Sequence, residues 1–234
     1  MHARVGQLPA GDLCQFAEVG HSTPASRPTI PGWYIAVEGA TGVGKTTLAE
    51  RLAPVLSAVF FRDPFDRNPF LAPREGIPAG SGEDLTLAAE LTFLALRIGE
   101  LRCIAAALQA GSTVITDWAL AKTRVFPRTT LAPGDADRVE AACGLWQPGL
   151  RSPDLIIYLR ASPAVLASRI AARGRAFERT ITIPDLARLS ALFDTALSGL
   201  PVLQVDADTF DVFDAAAVTA MASQITVRRK DSSR

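Results

Sequence analysis

Histidine is almost missing from this 234-residue chain: the two present, His2 and His21, both precede the first predicted strand. That argues against a core imidazole catalyst and a histidine-based zinc site, and leaves proton transfer to carboxylates, lysine or water. Cysteine is nearly as scarce. Cys14, Cys103 and Cys143 show neither metal nor redox spacing, and they read as reduced thiols in a cytosolic protein. No apolar run reaches the length of a membrane span. The N-terminus lacks the basic start and apolar stretch of a secretory signal. Net charge is lacking too, since 24 acidic side chains balance 24 basic ones. With no global field, neither nucleic acid nor an anionic membrane is an expected partner.

What is present is an alternation of short apolar runs with longer helical ones. Residues 33–38, 58–62, 113–117, 154–160 and 201–206 read as strands. Residues 45–57, 84–110, 135–147, 163–173, 184–198 and 212–225 read as helices between and after them. That order implies a parallel sheet covered by helices on both faces. Ser162 and Pro163 supply an N-cap and a first helical residue, and Gly174 suits the position that ends the same helix. Residues 1–31, rich in Pro, Gly, Ser and Ala without a period, read as a flexible extension. Residues 226–234 read as a polar tail, and residues 32–225 as a single domain.

The most specific signal is Gly39-Ala40-Thr41-Gly42-Val43-Gly44-Lys45-Thr46, followed by Thr47 at the start of a helix and preceded by the apolar Trp33-Tyr34-Ile35-Ala36-Val37. Glycines in such a loop turn successive backbone N–H groups into one hollow, and the helix N-terminus adds partial positive charge. Lys45 then reaches the outer phosphates of a nucleoside triphosphate, and the Thr46 hydroxyl holds Mg²⁺. Ligands of such sheets collect beyond the carboxyl ends of the strands. There, Asp117 closes the run Val114-Ile115-Thr116 and suits the carboxylate that supports Mg²⁺. Asp63 follows the second strand. It is either a general base for an acceptor hydroxyl or a turn residue before Pro64. Arg169, Arg173 and Arg175 are either a solvated helix end or a lid whose guanidiniums cover a transferring phosphoryl group.

This order of motifs resembles the deoxynucleoside kinase family, and specifically its bacterial members, from about Trp33 to Phe213. Asp63-Pro64-Phe65 and Asn68-Pro69-Phe70-Leu71 are similar to the family's base-bearing segment and the Asn-Pro-Phe-Leu that follows it. The helix from Glu90 to Arg97, the segment from Asp117 to Phe126, the strand after Pro153 and the Arg173-Gly174-Arg175…Glu178 lid resemble further family segments. The resemblance implies a P-loop three-layer sandwich, with five parallel strands in the order 2-3-1-4-5. It also implies ATP and Mg²⁺ as cofactors and transfer of the γ-phosphate to the 5′-hydroxyl of a deoxynucleoside or analogue. Asp63 would be the base, Arg173 and Arg175 would clamp phosphate, and Glu178 would bind the sugar 3′-hydroxyl. Glu90, Arg97 and Phe126 would face the acceptor, and Asp206 would sit in the loop beside the adenine of ATP.

The departures fall on the acceptor half. Trp118 stands where the family has arginine, Thr123 where it has aspartate, and Glu90 where it has the glutamine that reads the base. An ionised glutamate only accepts hydrogen bonds. It therefore suits the adjacent N–H donors of guanine, or an amino-bearing acceptor, unless it merely pairs with Arg97 or faces solvent. Trp118 is either a stacking platform for a planar acceptor or a core residue. The rival readings are a thymidylate-type monophosphate kinase, an antibiotic phosphotransferase, and a nucleotide-binding protein without turnover. The long helix near 84–110 either pairs across a homodimer axis or is buried in one subunit.

Overall fold

A computed structural model describes residues 32–71, 82–175, 178 and 180–232. The expected N-terminal extension, residues 1–31, lies outside the described residues. Five strands, β1 (Tyr34–Gly39), β2 (Ala58–Phe61), β3 (Thr113–Thr116), β4 (Leu155–Arg160) and β5 (Val202–Asp206), form one sheet. Its order is β2-β3-β1-β4-β5 and every pairing is parallel, as expected. Each strand lies within about a residue of its predicted bounds. The central β1 is buried throughout.

Around the sheet run α1 (Lys45–Val55), α2 (Gly82–Gln109), α3 (Lys122–Val125), α4 (Pro127–Thr130), α5 (Pro133–Trp146), α6 (Pro163–Arg173), α7 (Ile183–Ala196) and α8 (Ala215–Ser232). The caps read from the sequence form: Ser162 Oγ accepts from Val165 N, and Gly174 closes α6 in the left-handed region. Thr182 and Asp185 add a reciprocal capping box at the start of α7. The short α3 and α4 were not anticipated. They are too brief to show a period, yet they carry the chain from β3 across the mouth of the site.

One difference from the sequence reading stands out: the segment from 226, expected as a polar tail, is helical, since α8 continues to Ser232. Arg229 anchors it by donating to Thr113 Oγ1 at 3.0 Å while lying over the Trp33 ring. Cys143 is a buried free cysteine.

Candidate active site

Among the described residues, Glu38, Asp63, Glu90, Arg97, Asp117 and Glu178 are the buried charged side chains. Charge is costly to bury unless it is paired or kept for a ligand, so their gathering at the carboxyl edge of the sheet marks the site. All but Glu38 line one cavity of about 550 Å³.

The floor of this cavity is the loop between β1 and α1. Gly39, Gly42 and Gly44 have positive φ values of 144°, 85° and 105°. A side chain at Gly42 would also place its Cβ 2.8 Å from Ile170 Cγ1, so only glycine fits there. Thr41, Gly42, Lys45 and Thr46 face the cavity. Lys45 folds back over its own loop, donating to Gly39 O at 2.7 Å and Ala40 O at 2.9 Å. Burial and the nearby Lys122 charge bring the Lys45 pKa down to about 8, against the opposing pull of Glu38, Asp117 and Asp63. Ala40, Val43 and Thr47 shape the loop without lining the cavity.

Asp117, just past β3, joins this floor to the acceptor side. Its Oδ2 accepts from Thr46 Oγ1 at 2.5 Å and its Oδ1 accepts from Asp63 N at 2.6 Å. A hydroxyl beside a carboxylate is a hard oxygen pair that fits Mg²⁺, which keeps most of its shell as water and phosphate oxygens. The described residues hold no cluster of three or more acidic, histidine or cysteine side chains that could hold a metal ion.

Asp63 is held by three donors. Arg97 Nε reaches Oδ1 at 3.0 Å, Arg97 Nη2 reaches Oδ2 at 3.1 Å, and Lys122 Nζ reaches Oδ2 at 2.5 Å. Burial pushes its pKa up, but Arg97 and Lys122 overcome that and hold it well below the ordinary carboxylate range. Arg97 is itself fixed by Thr123 Oγ1 at 3.1 Å and by the Phe93 and Trp118 rings, 4.6 and 5.9 Å from its guanidinium carbon. Thr123 thus takes up one Arg97 N–H.

Glu90 and Arg97 share one face of α2, two turns apart. Glu90 Oε1 accepts from Thr130 Oγ1 at 2.9 Å, while Oε2 is buried with no partner. Burial raises the Glu90 pKa, opposed by the Thr130 bond and the Arg97 and Lys122 charges. Asn68 ties the segment after β2 to this helix: its Nδ2 donates to Ala89 O at 2.9 Å and its Oδ1 accepts from Phe70 N. Phe126 lines the cavity beside Thr129 and Thr130.

The lid closes the far wall. Arg173 Nε donates to Glu178 Oε2 at 3.1 Å and Arg173 Nη2 donates to Oε1. Arg175 lies 3.9 Å from the same carboxylate and over the Phe65 ring. Arg173, Arg175 and Glu178 all line the cavity. Arg169 works behind them, bridging Val43 O and Ala207 O.

Two of the expected residues lie elsewhere. Trp118 is 0% exposed within the core, so the core alternative holds and it offers no face for stacking. Asp206 does not line the cavity. It is exposed at the end of β5, and its carboxylate accepts from Asp208 N to shape that turn. Glu38 and Lys122 were not anticipated. Glu38 accepts from Gly39 N at 3.3 Å and Ala119 N at 2.5 Å. Burial lifts its pKa to about 6 against the pull of Lys122, Lys45, the Ala119 N–H and Arg97. An acidic residue inside an apolar strand was its available signal.

The deoxynucleoside kinase family model matches residues 35–226. A deoxyguanosine kinase of Bacillus subtilis is 31% identical over 187 residues, covering 76% of this chain and 88% of that relative. A thymidylate kinase of Xanthomonas campestris is 31% identical over 207 residues, covering 84% and 87%. The solved deoxyadenosine kinase from M. mycoides with bound dATP matches with a TM-score of 0.66 at 20% identity, over 83% of this chain and 99% of that one, which speaks to the fold. A family match spanning the P-loop, the paired carboxylates and the lid leaves one conclusion: the chain belongs to the deoxynucleoside kinase family, enzymes that phosphorylate nucleosides at the expense of ATP.

Proposed function

We propose that the acceptor is a purine deoxynucleoside presenting a donor edge, guanine-like rather than adenine-like, phosphorylated on its 5′-hydroxyl. The observation that carries this reading is the partnerless Glu90 Oε2, buried in the wall of the cavity that also holds Asp63. A buried carboxylate oxygen without a donor is costly. The adjacent N1–H and N2–H₂ of guanine supply two donors, whereas an adenine edge would set acceptor against acceptor. The deoxyguanosine kinase among the relatives supports the same choice.

In this reading the loop amides and Lys45 hold the β- and γ-phosphates; Thr46 and Asp117 would hold Mg²⁺, which when bound would supply positive charge beside the phosphates. Arg173 and Arg175 turn from Glu178 to the phosphoryl group when the lid closes, freeing Glu178 for the sugar 3′-hydroxyl. Asp63 orients the 5′-hydroxyl. Its depressed pKa makes it a weak base, which suits a loose transition state in which the proton leaves late. Asp206 serves the adenine side through its turn. The reaction takes place in the cytoplasm, and the exposed Leu91, Leu145 and Trp146 fit a homodimer contact along α2 and α5.

The thymidylate kinases among the relatives favour a second reading, with a monophosphate as acceptor. Against it, the acceptor side presents the Asp63 carboxylate, whose cations are already engaged. The test is a turnover panel of deoxyguanosine, deoxyinosine, deoxyadenosine and their monophosphates with ATP. Deoxyguanosine should be preferred. A preference for any monophosphate would overturn the reading.

A further inference from the structure

Lys122 is a charged group of the cavity that no motif marked. It stands at the start of α3, is 14% exposed, lines the cavity, and crosses the Phe126 ring at 5.4 Å. Arg97, only 2% exposed, grips Asp63 from the protein interior. Lys122 grips the same carboxylate and is the more exposed of the two cations.

The bonds can be counted oxygen by oxygen. Asp63 Oδ2 accepts from both Arg97 Nη2 and Lys122 Nζ, which fills its two lone pairs. Oδ1 accepts from Arg97 Nε and keeps a lone pair for another donor. We propose that Lys122 is a positioning residue for the reaction: by occupying Oδ2 it fixes the Asp63 carboxylate and directs the acceptor hydroxyl to Oδ1. In the step it serves, the hydroxyl oxygen forms a bond to the γ-phosphorus as the bond to the β–γ bridging oxygen breaks. That electron pair leaves with ADP, and the hydroxyl proton passes to Asp63 Oδ1 and then to water.

The inference rests on the proposed role of Asp63 and goes beyond it. Without Lys122, the carboxylate is held from one side only and can tilt. Misplacing a reacting group by about 1 Å can cost about 10²-fold in rate. The effect belongs to kcat with the acceptor, since Lys122 acts through Asp63, while ATP is gripped by the loop between β1 and α1.

The experiment is a double-mutant cycle on the full chain with deoxyguanosine and ATP, with ATP affinity from calorimetry and slow ATP hydrolysis measured without acceptor. Lys122→Met should lower kcat by about 10²-fold while ATP affinity and acceptor-free hydrolysis change by less than about fivefold. Lys122→Arg, which restores a donor, should recover most of the loss. In an Asp63→Asn background, Lys122→Met should add less than about threefold, because the group it positions is already disabled. The same loss in both backgrounds, a loss shared with acceptor-free hydrolysis, or failure of Lys122→Arg to recover turnover would overturn the proposal. Should Lys122→Met no longer bind ATP, Lys122→Leu, which also lacks a donor, takes its place in the cycle under the same criteria. Full turnover in Asp63→Asn alone would sink the reading of Asp63 itself. A dead Asp63→Asn beside an unimpaired Lys122→Met would sink only this inference.

Discussion

The two walls of the cavity are made from different materials. The nucleotide wall is mostly backbone: glycines of positive φ, a helix start, and one lysine bonded to its own loop. The acceptor wall is made of side chains that arrive from β2, α2, α3, α4 and the lid and hold one another in place. A backbone cradle tolerates little change but is specified within a few consecutive residues. A side-chain wall can be changed one position at a time without disturbing the fold. In the proposed reading, the first wall serves the phosphoryl transfer and the second selects the acceptor.

Breaking the nucleotide wall should have the largest effect. Lys45→Ala should lower kcat/KM for ATP by about 10³-fold or more, as loss of a main contact to developing phosphoryl charge does. ATP binding by calorimetry and turnover should fall together. Asp63→Asn comes next and should separate the two walls, with kcat down by about 10²-fold and ATP affinity nearly unchanged. Glu90→Gln should leave both the ATP parameters and the deoxyadenosine kcat intact while shifting the guanine-to-adenine preference by roughly tenfold or more, the value of a hydrogen bond to a charged group. An unchanged ratio of kcat/KM between deoxyguanosine and deoxyadenosine would remove Glu90 as the reader of the base.

The same contrast explains what could be read in advance. Strand bounds, the glycine loop, Asp117 at the end of its strand and the Ser162 cap are properties of short contiguous segments, and the structure has them where the sequence placed them, whereas the strand order followed from the family resemblance. Trp118 was ambiguous because a residue just past a strand can turn either way. The packing around Arg97 drew it inward. Lys122 carried no signal, since its meaning depends on Asp63, 59 residues earlier. The helical end of α8 was missed for a related reason. A run of basic residues reads as solvated, yet Arg229 finds Trp33 and Thr113 across the fold.

The mildest test uses pH instead of mutation, and it acts on the nucleotide wall alone. In the free enzyme Lys45 has a pKa near 8, lowered by burial and by the Lys122 charge. Above that value it loses its proton and the positive charge that meets the phosphates. The kcat/KM for ATP reports groups on the free enzyme, so it should fall as pH rises through about 8, approaching about tenfold per unit beyond it. Bound phosphates restore the lysine's charge, so kcat at saturating ATP should hold to a higher pH. Asp63, held well below the ordinary carboxylate range by Arg97 and Lys122, is ionised throughout this range and contributes no matching change. A kcat/KM for ATP that stays flat to pH 9.5 would show that the lysine keeps its proton, and that the two walls do not differ in this respect.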